Sequence, residues 1–226
     1  VTAGALGSPV MIEGNTSSPT GFSLGAASWR ESEVECPGGS LLQIGIHFID
    51  NFRYLLGDIS RVQGWQHRVR PGAGSPDTTQ TLLQFTSGVT GALASSYVTA
   101  STRWIRLSGT KAIACYDGTH GLVIERVGGP AEVLLPPMSN EQVFAGTLAD
   151  EITEFAACIR DGVPPETDLR VLLAIVEALV ALAPDDEATR RACLDLFFSH
   201  PELVERLQPI VAGLSQLEGK VKTRHR

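Results

Sequence analysis

From residue 59 to residue 135 the chain is cut every few residues by Gly or Pro, and between the cuts polar side chains alternate with Val, Ile, Thr and aromatics. Period-two alternation puts successive side chains on opposite faces of an extended backbone. Short runs of this kind bounded by turn residues read as strands, at 59–68, 78–86, 90–101, 103–108, 111–116, 121–127 and 131–135. Two links are tight hairpins, Phe85-Thr86-Ser87-Gly88-Val89-Thr90-Gly91 and Arg126-Val127-Gly128-Gly129-Pro130-Ala131. Strands joined so closely pair antiparallel, which predicts a meander in one extended sheet with two side-chain faces. A further strand is expected over 9–14, after the turn Leu6-Gly7-Ser8.

The flanking segments change period to 3.6. A Gly38-Gly39 turn leads into a helix over 40–56 whose neighbours are nearly all apolar, with Gln43, His47 and Asp50 as the polar exceptions. Spacings of four and three put those three side chains on one face. A helix apolar nearly all round is expected to be buried, and a buried polar group without a partner costs about 1–3 kcal/mol. The three residues are therefore expected either to bond one another and nearby backbone or to line a pocket. After Pro136-Pro137 the spacing of Phe144, Leu148, Ile152, Phe155 and Ile159 predicts a helix over 141–161, ended by Gly162 and Pro164-Pro165. Further helices are expected from Thr167 or Asp168 to Ala183, over 186–199 and over 201–217. The order strand, helix, many strands, then helices gives an α+β fold. It is an open, mostly antiparallel sheet with helices packed on one face, plus a C-terminal helical appendage. The expected domains are 1–183 and a helical extension, 184–226, with a basic tail.

A chain of 226 residues buries enough surface to need no covalent staple. Its net charge of −7 argues against nucleic acid as a partner, since the basic cluster Lys220, Lys222, Arg224 and Arg226 sits at the extreme end, where a solvated tail is the ordinary reading. The longest apolar run, Val171 to Ala183, contains Glu177 and is too short for a membrane span. Cys36, Cys115, Cys158 and Cys193 have no paired spacing, which fits neither a zinc set nor a disulfide framework. With no signal-peptide pattern visible, a cytoplasmic location is expected.

His47 is the residue type suited to proton transfer at neutral pH, its ordinary pKa lying near about 6.5. Gln43 can only donate and accept hydrogen bonds. Asp50 reads as a packing or capping residue. Trp29 and Arg30 end a long Ser, Thr, Pro and Gly-rich loop just before the helix, where an Arg can hold a hydroxyl-rich or carboxylated substrate. His67, His120, His200 and His225 have no spacing that points to a metal.

Taken together, the Gly38-Gly39 turn, Gly45-Ile46-His47-Phe48-Ile49-Asp50 and Leu55-Leu56-Gly57 resemble the C-terminal domain of the glucose–fructose oxidoreductase and inositol dehydrogenase (Gfo/Idh/MocA) family. Further likeness lies in Gly4-Ala5-Leu6-Gly7-Ser8-Pro9, Ser108-Gly109-Thr110, Glu154-Phe155-Ala156, Asp161-Gly162-Val163-Pro164-Pro165 and Glu177-Ala178, so the match runs over about 4–183. The resemblance implies an NAD(P)-dependent oxidoreductase acting on a CH–OH group of a sugar, cyclitol or related molecule. Its first domain would be a Rossmann unit. Its second would be an open sheet that binds substrate and often builds a homo-oligomer.

Only the second domain is matched. No G-x-G-x-x-G is present, and Gly72-Ala73-Gly74 lies between strands with no helix behind it. The Glu-Lys-Pro motif that carries the family's catalytic Lys is likewise not found. His47 matches the family's proton-handling His, whereas Gln43 stands where similar proteins carry Asp. The expectation is a substrate-binding and oligomerising part, with His47 and Gln43 at the reaction centre and Trp29 and Arg30 on the substrate. It would bind no NAD or NADP by itself and would work with a separate Rossmann domain. The alternative is a non-catalytic binding or assembly module that kept the fold and lost the chemistry.

Overall fold

The structure, a computed structural model, describes residues 4–25 and 27–163. The eight alternating segments form eight strands: β1 (Pro9–Ser17), β2 (Ile59–His67), β3 (Thr78–Phe85), β4 (Thr90–Ser96), β5 (Thr102–Gly109), β6 (Ala112–Asp117), β7 (Gly121–Arg126) and β8 (Ala131–Leu135). They build one sheet in the order β2-β3-β4-β1-β5-β6-β7-β8. The sheet is mostly antiparallel and the fold is α+β. Both expected hairpins form, with Gly88 and Gly128 at positive φ.

The meander is not continuous, however. β1 lies between β4 and β5, parallel to β4 with Ile12 opposite Gly91 and Gly14 opposite Leu93, and antiparallel to β5. The strand expected over 90–101 stops at Ser96 for the same reason. The Ser96 hydroxyl accepts from the Val98 amide, and the Ser96 carbonyl accepts from the Ser18 amide. The chain thus turns away to pass the end of β1 before β5 starts.

The helix begins as a π-helical turn, Leu41–Gly45, and continues as α1 (Ile46–Leu56). It lies on one face of the sheet, where Leu41, Phe48, Ile49 and Phe52 meet Ile12, Leu83, Phe85, Leu93 and Leu107. Each such side chain contributes about 1.5–3 kcal/mol on burial. Close approach depends on Gly14 of β1, because a Cβ there would stand 3.0 Å from both the Phe48 and the Phe52 ring. The opposite sheet face carries Met11, Glu13, Trp65, Leu82 and Trp104. A cavity of about 190 Å³ opens there, lined by Glu13, Asn15, Trp65, Gln80 and Trp104 among others.

The second described helix, α2 (Asn140–Asp161), lies where the spacing predicts it. It starts in a capping box between Ser139 and Gln142 and ends at left-handed Gly162. Its apolar stripe, Leu148, Ile152, Phe155 and Ile159, is exposed. The helices expected over 167–183, 186–199 and 201–217, and with them the 184–226 extension, lie outside the described residues. Among the described residues no helix is long and apolar enough to cross a membrane.

Candidate functional site

The loop after β1 returns to the helix through a short 3-10 turn, Trp29–Glu31, whose Arg30 amide is capped by the Ser28 hydroxyl at 3.3 Å. From this turn the Arg30 guanidinium stacks over the Trp29 ring, 4.7 Å from its centroid. Its Nε donates to Gln43 Oε1 at 2.7 Å. Gln43 Nε2 in turn donates to the sulfur of Cys36 at 3.0 Å. Three residues singled out from the sequence, Trp29, Arg30 and Gln43, are thus joined, with Cys36 behind them.

His47 is one turn beyond Gln43, on the side of α1 facing away from the sheet. It is exposed, and it makes no hydrogen bond or ion pair among the described residues. This corrects the expectation of a helix buried all round. The sheet covers one stripe, Leu41, Gly45, Phe48, Ile49 and Phe52, and nothing described covers His47, Asn51 and Tyr54. Gln43 and Asp50 are half-buried, so of the three polar residues none sits in the core.

The Trp29–Glu31 turn is clamped from below. Arg70 pairs with Glu31 at 2.7 Å and with Asp77 at 3.3 Å, and donates to the Gly21 carbonyl at 2.7 Å. Asp77 is fully buried and also accepts from the amides of Val69 and Arg70. Glu31 accepts from the Gly74 amide at 3.2 Å, and Arg68 pairs with Glu33. The start of the helix is fixed separately, by Ser40 bonding the Ser95 carbonyl and hydroxyl and by the Ser40 amide donating to Pro76. The amides of Leu41 and Leu42 are likewise used within the chain, both donating to the Gly38 carbonyl.

Two groups here were not legible from the sequence. Tyr97 is 3% exposed and its hydroxyl has no partner among the described residues. Burial first, then the nearby Cys36 sulfur, pushes its pKa well above the ordinary phenol range. Burial likewise raises the Cys36 thiol, against the lowering effect of its bonds from Gln43 and to Gly39, so both groups are neutral at physiological pH. Tyr97 falls at the tail of the strand expected over 90–101, and Asp77 and Arg70 of the clamp are loop residues with no periodicity to mark them. No group of three or more metal-ligating side chains converges among the described residues.

Chemically, the exposed side of this cluster offers an imidazole able to take or return a proton, a fixed guanidinium with its outer nitrogens open, an aromatic ring, and one spare donor and acceptor on Gln43. Residues 1–115 match the GFO/IDH/MocA C-terminal domain. The chain is similar to the D-apiose dehydrogenase of Paraburkholderia graminis, 27% identical over 150 residues, which are 60% of this chain and 40% of that protein. In structure it is similar to the aldose–aldose oxidoreductase of Caulobacter crescentus, complexed with glycerol. There the identity is 27% and the TM-score 0.60, over 78% of this chain and 55% of that one. A levoglucosan dehydrogenase in complex with NADH shares the fold at TM-score 0.67 and 18% identity, over 84% of this chain and 59% of that one. The chain spans well under two thirds of the length of each of these relatives. With half its length matched by the family's second domain and the same sheet-and-helix layout, the chain belongs to the GFO/IDH/MocA family.

Proposed function

We propose that this chain is the substrate-binding part of an NAD(P)-dependent oxidoreductase acting on a CH–OH group of a sugar, cyclitol or related small molecule. The observation that carries the reading is the 2.7 Å bond from Arg30 to Gln43, which places the loop residues Trp29 and Arg30 against the helix that carries His47. His47 takes the hydroxyl proton as the carbinol carbon is oxidised, and passes it to water from its exposed position. Gln43 cannot hold an imidazolium by charge. It orients Arg30 and offers its remaining N–H and lone pair to substrate hydroxyls. Trp29 provides an apolar ring face for the C–H side of a sugar-like ring. NAD or NADP is held by a Rossmann domain working with this one, a reading supported by the match of this chain to the family's C-terminal domain.

The test is a fusion of a family Rossmann domain ahead of residue 1, assayed with sugars and inositols. His47→Ala is expected to lower turnover about 10²–10⁴-fold, the range of a general acid–base group. Unchanged activity in that variant removes His47 from the mechanism. A second reading, a binding or assembly module without chemistry, is favoured by one observation. Gln43, in the place of the family's Asp, is uncharged and already spends one bond at each end on Arg30 and Cys36. It predicts that the fusion binds sugars without turning them over.

A further inference from the structure

We propose that the substrate of this site carries a carboxylate and that Arg30 binds it; this rests on the reading of the same site given above. Arg30 has no carboxylate at ion-pair distance among the described residues. Of the acidic side chains on its own loop, Glu31 is taken by Arg70 and the Gly74 amide and Glu33 by Arg68, and the exposed Glu35 makes no ion pair with Arg30. Its hydrogen-bond partner, Gln43, is a neutral amide. The two other polar groups behind it, the Cys36 thiol and the Tyr97 phenol, are buried and kept protonated. A carboxylate at position 43 would have cancelled the guanidinium charge. An amide fixes its direction and leaves the charge in place.

The guanidinium is also preorganised. The bond from Nε to Gln43 occupies one edge, the Trp29 ring supports one face, and the Ser28 cap holds the backbone. What remains open is the pair of terminal nitrogens, the edge that meets a carboxylate with two parallel hydrogen bonds. A ligand covering that edge strips water from a cation. A neutral polyol accepts hydrogen bonds from that edge but brings no opposite charge, whereas a carboxylate supplies both. The chain's net charge of −7 repels anions overall, so an acid substrate needs a local cation, and Arg30 is one that is fixed and has no ion pair among the described residues.

The experiment is calorimetric titration of the full chain with matched pairs that differ by a carboxylate in place of a hydroxymethyl group, D-galacturonate against D-galactose and D-gluconate against D-glucitol. At least one acid is expected to bind about tenfold or more tighter than its neutral partner, in the range of hydrogen bonds to a charged group. The preference weakens as salt is raised. Arg30→Gln abolishes it, and Arg30→Lys, which keeps the charge and loses the fork, retains part of it. Binding of neutral sugars as tight as that of the acids, or acid binding untouched in Arg30→Gln, overturns the carboxylate assignment while leaving the substrate site standing. Binding of neither class overturns both.

Discussion

Tyr97 sets a test at the scale of one atom. Its hydroxyl lies in the interior beside Cys36 and Arg30 without a partner among the described residues, a situation that costs about 1–3 kcal/mol. Tyr97→Phe removes the unpaired oxygen and keeps the ring, so the variant is expected to be as stable as the parent or about 1 kcal/mol more stable in urea unfolding. A clear loss of stability shows that the hydroxyl is bonded, for instance to a buried water. Cys36 gives a pH test with a definite sign. Its folded pKa is raised by burial, so its contribution is fully present below the unfolded thiol value of about 8.5 and is lost as pH rises above that toward the folded value. The urea midpoint is expected to fall on the alkaline side, with a shallower fall in Cys36→Ala. Equal slopes in the two proteins mean that Cys36 is not the group responsible. The sequence marked His47, Gln43, Trp29 and Arg30, because polar residues among apolar ones and an Arg before a helix are visible in a string of letters. It did not show that His47 faces outward, since counting apolar neighbours says nothing of which stripe the sheet covers.

At the scale of elements, the loop that carries Trp29 and Arg30 is held to the loop between β2 and β3 chiefly by Arg70. Removing that side chain leaves Asp77, which is fully buried, and Glu31 without their counter-ion. Arg70→Met is expected to cost about 3–5 kcal/mol, the usual effect of stranding one partner of a buried pair. A loss below about 1 kcal/mol means the pairs are no stronger than exposed ones. Gly39 holds the same junction from the other side. It sits at a φ of 49°, and a Cβ there would come within 1.7 Å of the Pro76 carbonyl oxygen. Strand positions were legible because alternation and Gly turns are local signals. The place of β1 was not, because a parallel neighbour is chosen through a crossover that includes α1 and two further strands, and no local pattern records it. The Arg70–Glu31–Asp77 clamp was illegible for a similar reason, its members being spread over 47 positions of loop and strand entry.

For the molecule as a whole the unresolved physical demand is the sheet face opposite α1. Cross-strand neighbours on it run Gln63, Leu82, Ala92, Glu13, Arg106, Cys115 and Val123, with Trp65, Gln80, Ala94, Asn15 and Trp104 in the next row. Trp65 is 63% exposed and Leu82 48%, and Met11 and Val133 are also open. Trp104 on the inner strand β5 and Trp65 on the edge strand β2, with Arg106 beside Trp104, are the residue types that interfaces favour. A second copy of the chain on this face meets the demand, which makes a homo-oligomer built through the sheet our expectation. A stable pair buries about 800 Å² on each partner, within the reach of a face eight strands wide. Sedimentation equilibrium is expected to give a dimer or higher species, and Trp65→Glu, which puts a charge in place of the most exposed aromatic ring on this face, is expected to weaken self-association by about 2 kcal/mol or more, some thirtyfold in the dissociation constant. Because Trp65 lies on the face away from Arg30 and His47, sugar-acid binding should survive in that variant. A monomeric parent protein leaves the face to another partner, and a variant that loses binding together with assembly makes the two faces interdependent.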